Sequence, residues 1–229
     1  RGLVNVKGLY GFIDRTGKTV IEPKFEMAWN FTEGIARIRS GALFGYVDRD
    51  GRVIVEPKYT DAGKFSEGLA TIRVGDLYGY IDMTGKVVIQ PRFEYAWMMT
   101  EGLGAVKEGG FFGFVDRAGK TVIRPQFERA WDFNEGLAVV KTGESFGYID
   151  KSGAFAIQPK FENASMFSEG LAAVKNGSLF GYVDAQGRMA IKPQFEEAKT
   201  FREGIALVKK GGRWCYIDRR GKTVFEPKE

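Results

Sequence analysis

The chain contains no histidine and a single cysteine, Cys215. Without imidazole, neither a Ser-His-Asp triad nor a Cys-His pair can be assembled. Zinc sites built on His and Cys are excluded as well. One cysteine rules out an intrachain disulfide, and the sequence implies no cofactor and no metal. No apolar run approaches the roughly 20 residues that span a bilayer, so no membrane insertion is expected. No signal-peptide pattern opens the chain. Its start at Arg1 rather than Met reads as a trimmed N-terminus, which leaves cytoplasm and cell envelope or secretion equally open. A net charge of +5 and a pI near 9.2 lack the one-sided excess of a nucleic-acid binder, so no nucleic-acid partner is expected.

What is present is a repeat. The seven prolines, Pro23 to Pro227, all stand 34 residues apart. The glycines Gly17, Gly51, Gly85, Gly119, Gly153, Gly187 and Gly221 keep the same spacing, and so do the acids three residues before them. Another glycine recurs at Gly11, Gly45, Gly79, Gly113, Gly147 and Gly181, and Cys215 stands at the seventh place. Six Glu-Gly pairs run from Glu33-Gly34 to Glu203-Gly204. The copies span approximately 1–32, 33–66, 67–100, 101–134, 135–168, 169–202 and 203–229, within a single repeat domain of 1–229. Gly2-Leu3 set against Gly34-Ile35 gives an offset of 32, so the first turn, at Lys7-Gly8-Leu9, reads as two residues short.

Each copy reads as a three-stranded antiparallel meander. A β-type segment follows Glu-Gly, and a glycine turn leads into an aromatic-Gly-aromatic strand such as Phe44-Gly45-Tyr46-Val47. Asp-x-x-Gly then reverses the chain, with glycine supplying positive φ. A third strand follows and is expected to stop at proline, which has no N–H for a ladder. The connector, as in Phe25-Glu26-Met27-Ala28-Trp29-Asn30-Phe31, fits a helical turn, a structured loop or a short fourth strand. The 34-residue period also belongs to a helix-pair repeat, but proline and two glycine turns in every copy leave no room for two helices.

One meander cannot bury its own apolar face, so copies must stack. Small residues, the glycine of the aromatic strand and alanines such as Ala36 and Ala70, are expected to receive bulky aromatics from the next copy. A larger residue at Gly79 or Gly113 would then overpack the joint, at about 1–3 kcal/mol. The fold class is all-β. A seven-bladed propeller-like ring is favoured over an open β-hairpin solenoid, because no atypical polar caps stand at either end.

Residues invariant across copies are best explained by turn chemistry, which leaves no catalytic candidate. A calcium role for Asp-x-x-Gly lacks the dense oxygen ligands such a site needs. Rows of lysine and glutamate alternate, as on a solvated surface. Positions that vary within the frame carry more information. After the connector alanine stand Trp29, Trp97 and Trp131, but Gly63, Ser165 and Lys199 in other copies. A core position does not accept Trp, Gly and Lys alike, so this place lies at least partly on the surface. Trp29, Trp97 and Trp131, with Tyr95, are the candidate binding residues. The plainer alternative is that each Trp covers its own connector.

The aromatic-Gly-Tyr/Phe-Ile/Val-Asp-x-x-Gly pattern, then proline, then Phe-x-Glu-Gly-Leu-Ala, resembles the WG-repeat family of bacterial proteins. The pair is Tyr-Gly or Phe-Gly here, as in Tyr78-Gly79 and Phe112-Gly113, and Trp214 is followed by Cys215. The resemblance implies a β-repeat module, often part of a larger protein, that mediates interactions and has no catalytic residues to transfer. The expectation is a non-enzymatic scaffold, a monomer or a module of a larger chain, that binds a protein. The alternative is a module for carbohydrate or cell-envelope polymer, with a glycan as partner.

Overall fold

The computed structural model describes residues 1–226. Among them there is no helix, and hence none long and apolar enough to cross a membrane. The strands form one three-stranded and six four-stranded sheets, all antiparallel meanders in chain order. The chain divides into two compact units. One comprises Arg1–Gly109 with Val115–Lys120, and the other comprises Gly110–Phe114 with the chain from Thr121 onward.

The second sheet, which takes its first strand from the connector of the first copy, shows how the sequence builds one. Met27–Ala28, Ile35–Ser40, Leu43–Asp48 and Val53–Tyr59 pair in that order. The connector therefore contributes a fourth strand, of two residues here and of six at Tyr95–Thr100, and the helical-turn option falls away. Glu33 and Gly34 both have positive φ, 51° and 86°. Thr32 and Ile35 exchange both backbone hydrogen bonds across them at 3.0 Å, which is a two-residue hairpin of the primed type. Asp48 Oδ1 accepts the backbone N–H groups of Asp50 and Arg52, both at 2.9 Å, so that oxygen is engaged inside its own turn.

Three expectations need correction. First, the third strand does not stop at proline. Val53–Tyr59 runs through Pro57. Tyr46 pairs with Val55 and Phe44 with Tyr59, so Gly45 alone faces Glu56, Pro57 and Lys58. Proline is accommodated because a bulge takes its residues out of the ladder. The seventh proline, Pro227, lies outside the described residues.

Second, Gly45 does not receive an aromatic from the next copy. A Cβ there would stand 2.4 Å from the Val55 carbonyl oxygen and 2.7 Å from the Pro57 nitrogen of its own third strand. The bulged backbone leans onto the glycine. The alanines do receive aromatics, but from the preceding copy. Tyr46 and Tyr59 share a buried cluster with Ala62, Ala70 and Ile72. Third, the first copy is not shortened at its turn. Gly2 pairs with Ile13 as Ala36 pairs with Val47, and Val6 with Leu9 as Ser40 with Leu43. The offset is 34 there too, and both turns hold two residues.

Successive sheets within each unit are joined in four ways. Apolar clusters such as the one around Tyr46 straddle them. Tyrosine hydroxyls donate to the following connector, Tyr46 to the Gly63 carbonyl at 2.7 Å and Tyr148 to that of Ser165 at 2.9 Å. The Asp-x-x-Gly glycine packs on the previous copy, where a Cβ on Gly153 would lie 3.1 Å from Ile123. Glutamates of the Glu-Gly turns reach the next turn, as Glu135 does to the backbone N–H of Glu169 at 2.6 Å and of Gly170 at 2.8 Å.

Candidate functional site

The connector strand is where the copies differ most. Its short pairing with the next meander fixes the backbone, so the residue after the alanine projects from a rigid place. The Trp29 N–H donates to the Arg37 carbonyl at 3.0 Å, and that of Trp131 to Val139 at 3.0 Å. Trp29, Trp97 and Trp131 are all half-buried. Trp29 packs on Phe44 with ring centroids 5.8 Å apart, and Trp131 on Phe146 at 5.9 Å. These contacts cover part of each ring, as the plainer reading holds, and leave part of it exposed.

The first unit brings Trp29, Tyr95 and Trp97 to two pockets that share Arg37, Lys64 and Met98. The larger holds about 340 Å³. Its floor is Ile35, Tyr46 and Phe65, each at most 4% exposed. Trp29 and Met98 line it above them. The smaller pocket, about 210 Å³, is lined by Asp61, Tyr78, Tyr95 and Trp97 among others. Tyr95 stands 5.2 Å from Tyr78 and 5.1 Å from Trp97, centroid to centroid. Trp131 belongs to the second unit and lines neither pocket.

Arg37 is the residue that sequence reading missed. Its guanidinium lies 3.9 Å above the Trp29 ring, a cation–π contact, and its Nη1 donates to the Ala62 carbonyl. Burial lowers its pKa, although Tyr46 and Asp61 oppose that shift. Asp61 does not form an ion pair with it. Asp61 Oδ1 accepts the Ala62 N–H at 2.8 Å and Oδ2 accepts the Tyr78 hydroxyl at 2.9 Å. Burial, then that hydrogen bond, pushes the Tyr78 phenol up to about 12. A signal for Arg37 was present in the frame. Its equivalents are Leu3, Thr71, Ala105, Val139, Ala173 and Leu207, so a cation replaces a mostly apolar inward-facing residue.

No curated protein matches the chain. Solved structures do, at low identity. A eukaryotic initiation factor aligns with 99% of this chain and 72% of its own, at 9% identity and a TM-score of 0.66. Kluyveromyces lactis Hsv2 aligns with 82% of this chain and 71% of its own, at 8% identity and a TM-score of 0.53. The dihydro-heme d1 dehydrogenase NirN, in complex with DHE, aligns over 96% and 61%, at 11% identity and a TM-score of 0.51. The first two are propeller-like all-β proteins, and likeness at such identities is likeness of fold alone. The model of the WG containing repeat matches residues 10–43, 44–78, 78–110, 112–144, 146–179 and 180–214, so the chain belongs to the WG-repeat family.

Proposed function

We propose that this protein is a non-enzymatic repeat scaffold that binds a partner protein through the first unit, with Trp29, Tyr95 and Trp97 as anchors. The observation that carries this reading is the pair of pockets sharing Arg37, Lys64 and Met98. Tryptophan, tyrosine and arginine dominate the energetics of protein interfaces, above all beside desolvated pockets. The frame residues are consumed by turns and joints, which leaves these variable positions free to carry specificity.

A photo-crosslinking residue in place of Asn30, an exposed residue of the larger pocket, tests the reading. One protein should be captured in stoichiometric yield, and the purified pair should bind with an affinity that Trp97→Ala weakens at least tenfold. Capture that is equally efficient from a residue in place of Lys151, in the second unit, would count against it. A carbohydrate reading is favoured by one feature, the Asp61 carboxylate beside the Tyr95 and Trp97 rings, which together suit a sugar's hydroxyls and its apolar face. Retention on an insoluble polysaccharide, lost in Trp97→Ala, would select that reading instead.

A further inference from the structure

We propose that the larger pocket receives the C-terminal residue of the partner polypeptide, with its apolar side chain on the Ile35–Tyr46–Phe65 floor and its terminal carboxylate on Arg37 and Lys64. The proposal rests on the reading of this face as a protein-binding surface.

Charge carries the argument. Nine residues line the pocket, and none is a carboxylate, while Arg37 and Lys64 are cations. Neither cation has an ion-pair partner among the described residues. The nearest acid by electrostatic effect, Asp61, has both oxygens engaged, by Ala62 and Tyr78. The guanidinium is half-buried and makes no ion pair, and the charge of Asp61 offsets its desolvation only in part, so an arriving anion is favoured. Arg37 Nε is buried and has no hydrogen-bond partner. Stacking on Trp29 and the bond to Ala62 hold the planar fork in place, so it is organised in advance to bind a carboxylate.

Size and polarity narrow the occupant. About 340 Å³ lies at the small end of ligand sites, enough for one large residue rather than a folded segment. The floor is apolar and the charges stand with the surrounding Trp29 and Met98. The occupant must therefore carry an apolar side chain and a carboxylate within one residue. Within a polypeptide, a C-terminal residue such as Phe or Leu meets that requirement, because both groups hang on the same Cα. An internal Asp or Glu supplies the charge without the apolar body.

The test uses the full chain and N-acetylated hexapeptides ending in Phe, Leu, Ser or Lys, each as free acid and as C-terminal amide. Calorimetric titration should show free acids ending in Phe or Leu binding best, and their amides at least tenfold weaker. Arg37→Leu installs the residue that the last copy carries at this place, Leu207, and should fold. It should reduce free-acid binding at least tenfold and leave amide binding unchanged. Arg129→Ala, in the second unit and lining neither pocket, should change it less than twofold. Equal affinity for acid and amide, no binding of any free acid at millimolar concentration, or unchanged binding in Arg37→Leu would overturn the proposal. Were that variant to unfold, the acid–amide comparison on the unaltered chain still decides. A captured partner that binds equally well with its C-terminus extended by Gly-Ser would sink this proposal and leave the protein-binding reading standing.

Discussion

The Glu33 carboxylate accepts the backbone N–H of Glu67, one full copy further along the chain, at 2.8 Å. The contact explains a choice that turn chemistry alone does not. A primed two-residue hairpin with positive φ at both places favours Asn-Gly or Gly-Gly. Glutamate stands at the first place in six copies, with φ between 51° and 56°. For an L-residue with a long side chain, that conformation costs on the order of 1 kcal/mol. The carboxylate offsets the strain by taking up orphan N–H groups of the neighbouring turn, and the hairpin loop thereby becomes a joint between copies.

Glu67 tests both halves of that account. Its half-buried carboxylate accepts the Gly102 N–H at 2.8 Å, while its own φ is 52°. Glu67→Ala loses the bond and keeps the strain, and should destabilise by about 1–2 kcal/mol. Glu67→Gly loses the bond but relieves the backbone, and should destabilise by less. Denaturant unfolding of the two variants gives the order, and a greater loss in the glycine variant would contradict it.

Gly79 makes a separate prediction. A Cβ there would lie 2.4 Å from the Ile89 carbonyl oxygen and 2.7 Å from the Pro91 nitrogen. Backbone atoms cannot rotate away as a side chain does. Gly79→Ala should therefore cost about 3 kcal/mol, the upper end of the overpacking range. Gly75→Ala, at a turn with open space and a φ of 59°, should cost only about 1 kcal/mol from backbone strain. Thermal melts of the two variants separate steric from conformational demand. Equal losses would refute the bulge as the reason for the glycine.

Period and turn chemistry made the meanders legible before any coordinates, because Asp48, Gly51 and the Glu33-Gly34 pair act over a few residues. What escaped was non-local. The lean of Pro57 onto Gly45 depends on a bulge register that no local pattern encodes. The connector strand is too short to show a period, two residues in most sheets and six only at Tyr95–Thr100. At the site, Trp29, Tyr95 and Trp97 stood out because they vary within a fixed frame. Arg37 was hidden inside a strand read only as a β-type segment, and only comparison of equivalent places, Leu3 to Leu207, marks it. Asp61 and Lys64 come together with it through contacts between successive sheets.

The turn acids set a pH dependence. The Thr84 hydroxyl lowers the pKa of Asp82 and the Ser152 hydroxyl that of Asp150, each from the ordinary 3.8, with backbone N–H groups adding to the effect. A depressed folded pKa means stability that is complete above the ordinary value and lost as pH falls below it through the lowered one. Asp150→Asn keeps an acceptor oxygen but no charge. Its melting temperature should fall below that of the unaltered chain near neutral pH, and the gap should narrow as pH drops below 3.8. A gap that is constant across the acid range would show that the charge contributes nothing.

Tyr78 gives the opposite sign at the alkaline end. Burial first, then the hydrogen bond to Asp61 and its charge, raise the phenol from 10 to about 12, while Arg73 works against them. An acid with a raised folded pKa contributes stability that is complete below 10 and is lost as pH rises through 12. The difference in tyrosinate absorbance between the unaltered chain and Tyr78→Phe should isolate one phenol titrating near 12, and in an Asp61→Ala background that phenol should move back toward 10. A Tyr78 unmoved by Asp61→Ala would mean that the hydrogen bond is not what occupies Asp61 Oδ2. Asp61 would then be free to pair with Arg37, and the unpaired cation on which the carboxylate pocket depends would disappear.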